Sequence, residues 1–250
     1  MPILPGSLSL ELSGVPFLSG DVRLYYLESG KTTPDIQAYF AAILDPEECA
    51  RRDRFLFSEA KKLFELSHGL TRIALSQWCT AEHGTHVDPS AWRFLADSLG
   101  KPRAFLPEPA PIPENAPLFS LSHTRGAALV AVASQGKVGV DLESAHRLAD
   151  ALPLANRYFA PEECIDTLSQ PDEAAMRQRF LLYWTLKEAY LKALGLGLTR
   201  PLASFAFTHD ANRARLLYDH NGVSNMWCFH TLNLPGGMLA SVARELPAEK

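Results

Sequence analysis

Leu118–Glu143 reads LFSLSHTRGAALVAVASQGKVGVDLE and carries three strand signals. Leu118–His123 is a strand ending in polar residues. Ala127–Ala133 is an unbroken apolar run of the kind buried on both faces. Lys137–Glu143 follows, with Gly136 as its turn. The short link Ser134-Gln135-Gly136 predicts a hairpin between the second and third. Toward the C-terminus, Pro161-Glu162-Glu163 starts a helix after Ala160. Asp172–Leu194 is a long helix with Gly195 as its C-cap. Phe205–Thr208, Arg215–Tyr218, Met226–Leu232 and Met238–Arg244 read as strands. Toward the N-terminus, Leu106–Pro117 holds five prolines in twelve residues, so it is neither helix nor central strand, and it divides the chain. Before it come a strand at Asp21–Glu28, helical pieces at Thr33–Leu44 and from Asp45-Pro46-Glu47-Glu48, and an amphipathic helix over Glu59–His83. The chain turns at Gly100-Lys101-Pro102. Each half begins with β structure and contains a long helix. The expectation is an α+β protein of two similar lobes, residues 1–117 and 118–250, with no visible sequence repeat.

Composition narrows the function classes. The chain has 250 residues, 47% hydrophobic and 21% charged, which excludes a disordered, collagen-like or coiled-coil protein. Its formal net charge is −4, from 24 basic and 28 acidic residues, so a chain-wide basic footprint for nucleic acid is absent. Cys49, Cys79, Cys164 and Cys228 form no CxxC, and free thiols in a reducing cytoplasm are expected. Met1–Gly20 holds Pro2, Pro5, Glu11 and Pro16 and lacks a basic leader, which reads against a signal peptide. The apolar runs are shorter than the roughly 20 residues of a membrane span. The expectation is a cytoplasmic monomer that uses neither membrane nor nucleic acid.

Chemistry concentrates in two places. On a strand Asp141 and Glu143 share one face, opposite Val140 and Leu142. In Trp184–Lys192 (WTLKEAYLK), Glu188 and Lys192 are neighbours on one helix surface, and taken alone they read as an ordinary exposed ion pair. Together, three carboxylates from a strand and a helix form an all-oxygen set that suits Mg²⁺ with phosphate oxygens as further ligands. Ser122-His123 at a strand end can bond a phosphate, and no nucleophile elbow surrounds it. The segment Cys49–Arg72 carries six basic residues against three acidic ones, a patch that would draw a polyanion or an acidic protein. The HGTH stretch at His83–His86 has only Asp88 nearby and is not read as a metal site. His68 is read as a helix-packing residue.

Four blocks in this order carry a resemblance: GKP (Gly100–Pro102), FSLSH (Phe119–His123), VGVDLE (Val138–Glu143) and WTLKEAYLKALGLGL (Trp184–Leu198). Arg51–Arg72 fits less strictly. The sequence resembles the Sfp-type 4′-phosphopantetheinyl transferases from about residue 45 to 200. That resemblance implies a pseudo-twofold pair of α+β lobes with the active site in the cleft between them. It implies transfer of the phosphopantetheine arm of coenzyme A to a serine of an apo acyl or peptidyl carrier protein, with adenosine 3′,5′-bisphosphate released. By position, Asp141, Glu143 and Glu188 would hold Mg²⁺ against the pyrophosphate. Glu188 would instead, or also, take the serine proton, and Lys192 would stabilise charge on the phosphates or leaving group. Ser122, His123, Lys101, Arg51 and Lys61 would bind coenzyme A, with His123 on the 3′-phosphate. Lys61 stands where many relatives have arginine, and Thr124 replaces the last residue of the usual SHS. Gly195 and Gly197 match the family's G-x-G. Two other readings stand beside this one: a non-catalytic module that binds coenzyme A or a carrier, and a metal-dependent enzyme acting on another phosphoanhydride.

Overall fold

In the computed structural model, residues 12, 22–107, 117–145, 151–210, 213–220 and 226–246 are described. The chain divides into two compact units, Met1–Gln135 and Gly136–Lys250.

The first unit opens with strand β1 (Val22–Glu28), then helices α1 (Pro34–Ile43), α2 (Pro46–Asp53) and α3 (Ser58–His83). Thr33 caps α1, its hydroxyl accepting from the Ile36 N–H, and Pro34 fills the first helical position. Asp45 and Glu48 form a reciprocal capping box on α2. Gly84 ends α3 at φ +65°, a left-handed turn that costs glycine little. Strands β2 (Arg93–Ala96) and β3 (Pro102–Phe105) make a hairpin. Its turn is the GKP region, where the Asp97 side chain accepts from the N–H groups of Leu99 and Lys101. Strands β4 (Leu118–Thr124) and β5 (Ala127–Ala133) follow, and the sheet order is β1-β5-β4. The α3 residues Leu66, Leu70, Ile73, Ala74 and Trp78 pack with Ala128, Val130 and Val132 of β5 in one core.

The second unit holds β6 (Val138–Ser144), α4 (Ala151–Tyr158), α5 (Pro161–Leu168), α6 (Glu173–Leu194) and strands β7 (Phe205–Asp210), β8 (Arg213–Asp219), β9 (Trp227–Leu234) and β10 (Met238–Glu245). They form an antiparallel sheet of order β6-β10-β9-β8-β7. Asp172 caps α6 by accepting from the Ala175 N–H, and Gly195 closes it at φ +75°. Phe180, Tyr183, Leu186, Ala189, Tyr190 and Ala193 of α6 pack with Phe205, Phe207, Phe229, Leu239 and Ala243. Each unit therefore lays one long helix on an antiparallel sheet, which gives the expected α+β class.

Two expectations are corrected. The expected hairpin across Ser134–Gly136 does not form: β5 lies in the first sheet and β6 in the second. The hairpin is instead β4–β5, closed by Arg125 and Gly126, with Gly126 at φ +95°. The division between units accordingly falls at 135/136 and not at 117/118, because β4 and β5 complete the sheet begun by β1. Residues 108–116 of the proline-rich stretch lie outside the described residues. Among the described residues, no helix is long and apolar enough to cross a membrane.

Candidate functional site

The site in the second unit depends on a missing side chain. A Cβ at Gly139 on β6 would meet the Ala189 carbonyl oxygen at 2.0 Å and the Ala193 N at 2.4 Å. Only glycine lets the α6 backbone rest on β6 at this height, and alanines at 189 and 193 supply the matching shallow helix face. Gly139, Asp141 and Glu143 alternate onto one face of β6 and pair with Ala243, Ser241 and Leu239 of β10. Ala243 and Leu239 belong to the core beneath α6, so this is the helix-facing side. Ser241 is tied to Thr185 of α6 through a 2.7 Å hydroxyl contact. The same close approach brings Asp141 and Glu143 to Glu188 and Lys192.

Lys192 does not form the exposed pair with Glu188 that helical spacing alone suggests. Its ammonium donates across to Asp141 Oδ1 at 2.7 Å. The Asp141 side chain is 7% exposed and that of Lys192 30%. Glu188 Oε1 is buried and has no hydrogen-bond partner. Burial, followed by the negative charge of Asp141, pushes the Glu188 carboxyl up to about 7; Glu143 adds to the rise and Lys192 opposes it. Among the described residues, no three His, Cys, Asp or Glu side chains form a ready-made metal-binding group. Asp141, Glu143 and Glu188 are nevertheless the right chemistry for a hard divalent cation. They offer only oxygen donors, they crowd negative charge, and Glu188 has a buried oxygen left over.

A residue that sequence reasoning missed sets the azimuth of α6. Lys187, the neighbour of Glu188, is fully buried and pairs with Glu163 at 2.8 Å. Its ammonium also donates to the carbonyls of Leu202 (2.7 Å) and Phe205 (2.6 Å). Glu163 in turn accepts from the N–H groups of Ala160 (3.0 Å) and Phe207 (2.8 Å). Burial drives the Glu163 carboxyl up and the Lys187 ammonium down. With Lys187 turned inward, the next residue faces β6. At the end of α6, Tyr190 donates to Asp219 at 2.6 Å, and Asp219 also pairs with Arg200. The sequence signal for Lys187 was a lysine between apolar core positions of a helix.

The remaining expected residues lie in the first unit. Ser122 and His123 sit on β4 but on opposite faces, Ser122 buried and His123 exposed. Lys101 is half-buried beside Gly100, which has φ +85°. Arg51 is exposed at the end of α2, its guanidinium 5.7 Å from the Phe64 ring centre. Lys61 is half-buried in the first turn of α3. The basic patch of Cys49–Arg72 is less uniform than composition suggests. Arg52 pairs with Asp53 and Glu65, and Lys62 with Glu59. Arg72 is fully buried, bonding Asp45, Glu48 and the carbonyls of Pro89 and Trp92. His68 Nδ1–H donates to Glu48 Oε1 at 2.7 Å and its ring stacks on Phe64, in keeping with a packing role. Burial works to raise the Glu48 carboxyl, but the bond to His68 and the charge and bonds of Arg72 hold it below its ordinary value.

Fold and site define an α+β protein whose second unit mounts a carboxylate–lysine group where a strand meets a long helix. Comparison with known proteins makes this specific. Residues 137–243 match the model of the 4′-phosphopantetheinyl transferase superfamily. The chain is 36% identical over 183 residues to the 4′-phosphopantetheinyl transferase HetI of Nostoc sp., covering 73% of this chain and 72% of that one. It is 29% identical over 167 residues to the 4′-phosphopantetheinyl transferase Sfp of Bacillus subtilis, covering 67% of each. It is 27% identical over 220 residues to the phosphopantetheinyl transferase of Thraustochytrium sp., covering 84% of this chain and 73% of that one. The chain belongs to the 4′-phosphopantetheinyl transferase family.

Proposed function

We propose that this chain transfers the 4′-phosphopantetheine arm of coenzyme A to a serine hydroxyl of an apo acyl or peptidyl carrier protein. Adenosine 3′,5′-bisphosphate is released. In this reading it works as a monomer in the cytoplasm, with coenzyme A and carrier proteins as its partners. The observation that carries the reading is the crowding of the Asp141 and Glu143 charges on Glu188, with Lys192 bonded to Asp141 and a buried Glu188 oxygen left unbonded.

Asp141, Glu143 and Glu188 would hold Mg²⁺, which when bound supplies positive charge to the pyrophosphate of coenzyme A. The serine oxygen of the carrier attacks the phosphorus on the pantetheine side. The anhydride bond to the 5′-phosphate of the nucleotide breaks, and the bond electrons leave with that phosphate. Glu188 takes the serine proton. Its buried setting keeps its basicity above that of an exposed carboxylate, which suits a general base near neutral pH. Lys192 stabilises the charge that grows on the departing phosphate. Arg51, Lys61, Lys101, Ser122 and His123 bind coenzyme A, His123 through the 3′-phosphate. Lys61 offers a point charge where a guanidinium would offer a fork.

The experiment is Asp141→Ala against the unsubstituted protein, with transfer to an apo carrier and thermal unfolding measured on the same samples. The reading requires transfer to be lost from a protein that still unfolds cooperatively. Full turnover by a folded Asp141→Ala protein overturns it.

A further inference from the structure

Lys192 had a partner available on its own helix and did not take it. Glu188 lies four residues earlier, in the orientation that favours a helical glutamate–lysine pair. The ammonium instead crosses from α6 to β6 and donates to Asp141 Oδ1 at 2.7 Å. The consequence is uneven neutralisation. One ammonium serves Asp141, whereas Glu188 Oε1 stays buried without a hydrogen bond. The charges of Asp141 and Glu143 both bear on Glu188. One ammonium carries a single positive charge and cannot cancel the charge of three carboxylates, though its three N–H groups can reach more than one of them. A divalent ion brings twice the charge and several coordination positions.

We propose that Lys192 is the resident counter-ion of the metal site: it holds Asp141 before the divalent cation binds and yields that oxygen to the cation on binding. The inference rests on the assignment of Asp141, Glu143 and Glu188 as the Mg²⁺ group. The side chain is built for such an exchange. It is 30% exposed, so its ammonium has water to move into, and its four-carbon stem re-aims without moving α6. The α6 backbone is meanwhile fixed by Gly139 beneath it and by the buried Lys187–Glu163 pair beside it. Once Asp141 is taken by the cation, the ammonium is repelled by the new positive charge and attracted to any phosphate held by it. Lysine and metal therefore compete before coenzyme A binds and cooperate after it.

That change of sign is the test. Mn²⁺ is titrated into the coenzyme-A-free protein, and the loss of the free-ion electron paramagnetic resonance signal is read. Lys192→Met and Lys192→Gln are each compared with the unsubstituted protein, and Lys192→Arg serves as the charge-keeping control. Without the competing ammonium, Mn²⁺ should bind about tenfold more tightly or better, because a full charge a few ångströms away is worth at least that at a partly buried site. Lys192→Arg should stay near the unsubstituted value. With Mn²⁺ saturating, coenzyme A should bind Lys192→Met and Lys192→Gln at least several-fold more weakly. Asp141→Asn should abolish Mn²⁺ binding in either background. If Mn²⁺ binds the folded Met and Gln variants no better than the unsubstituted protein, the exchange is overturned, while loss of binding in Asp141→Asn leaves the metal assignment standing. If Asp141→Asn binds Mn²⁺ as the unsubstituted protein does, the metal assignment and the exchange both fall.

Discussion

Gly139→Ala puts one methyl group where there is no room for it. The new Cβ would lie 2.0 Å from the Ala189 carbonyl oxygen, 2.4 Å from the Ala193 N and 3.0 Å from its Cα. All three are backbone atoms of α6, so no rotamer change relieves the contact, and the helix must lift from β6 by about an ångström. Over-packing in cores costs about 1–3 kcal/mol, and an obstacle made of helix backbone belongs at the upper end. About 3 kcal/mol corresponds to a fall in Tm of roughly 6–12 °C for a protein of this size. The effect on catalysis should be larger in proportion. The lifted helix carries Glu188 and Lys192 away from Asp141 and Glu143, and a misplacement of this size can cost about a hundredfold in rate. The assay is calorimetry on Gly139→Ala, paired with initial rates of carrier modification at a temperature well below its Tm. A variant with unchanged Tm and unchanged rate would refute the argument that this close approach builds the site.

Glu188→Gln should abolish transfer yet stabilise the metal-free protein at pH 8. The folded carboxyl titrates near 7, above its ordinary value, so its contribution favours folding at low pH and is lost as pH rises from about 4.5 through 7. Discounted for partial exposure, this is about 2 kcal/mol, read as a Tm gain of roughly 4–8 °C that shrinks toward pH 5. Glu48 has the opposite sign. Its folded carboxyl titrates below the ordinary value, so its stabilisation is present above that value and lost as pH falls through the folded one. Acid unfolding of Glu48→Gln should therefore show a shallower loss of stability below pH 5 than the unsubstituted protein. Lys187→Met strands a fully buried Glu163 carboxylate and should cost about 3–5 kcal/mol by denaturant unfolding, with Lys187→Met/Glu163→Gln recovering a measurable part.

The elements that sequence made legible are those with a strong period or an end signal. Glu59–His83 repeats its apolar residues every three or four positions and forms α3. The acidic start at Asp45–Glu48 becomes a capping box, and Gly195 closes α6 in the left-handed conformation. The α4 helix and the β2–β3 hairpin went unread because they are short, with 8 and 4 residues per element, too few turns or alternations for a period to stand out. The misjudged hairpin has a physical lesson. Ser134–Gly136 has the composition of a tight turn, but sheet membership is decided by partners distant in sequence, β1 for β5 and β10 for β6. The carboxylate–lysine group was legible as residue types on one strand face and one helix face. The cross-element bond from Lys192 to Asp141 was not, because spacing along a helix favours its own neighbour. Nor was Gly139, whose importance lies in what a Cβ would strike. Ser122 and His123 are adjacent in sequence, and β4 sends them to opposite faces.

The most direct measurement is the intact mass of an apo acyl carrier protein after incubation with this protein, coenzyme A and Mg²⁺, with and without a chelator. The account predicts a gain of one phosphopantetheine on the carrier, lost on chelation and lost with Glu188→Gln. No mass gain on fatty-acid, polyketide or peptidyl carriers alike, from a folded protein that still binds coenzyme A, would contradict it.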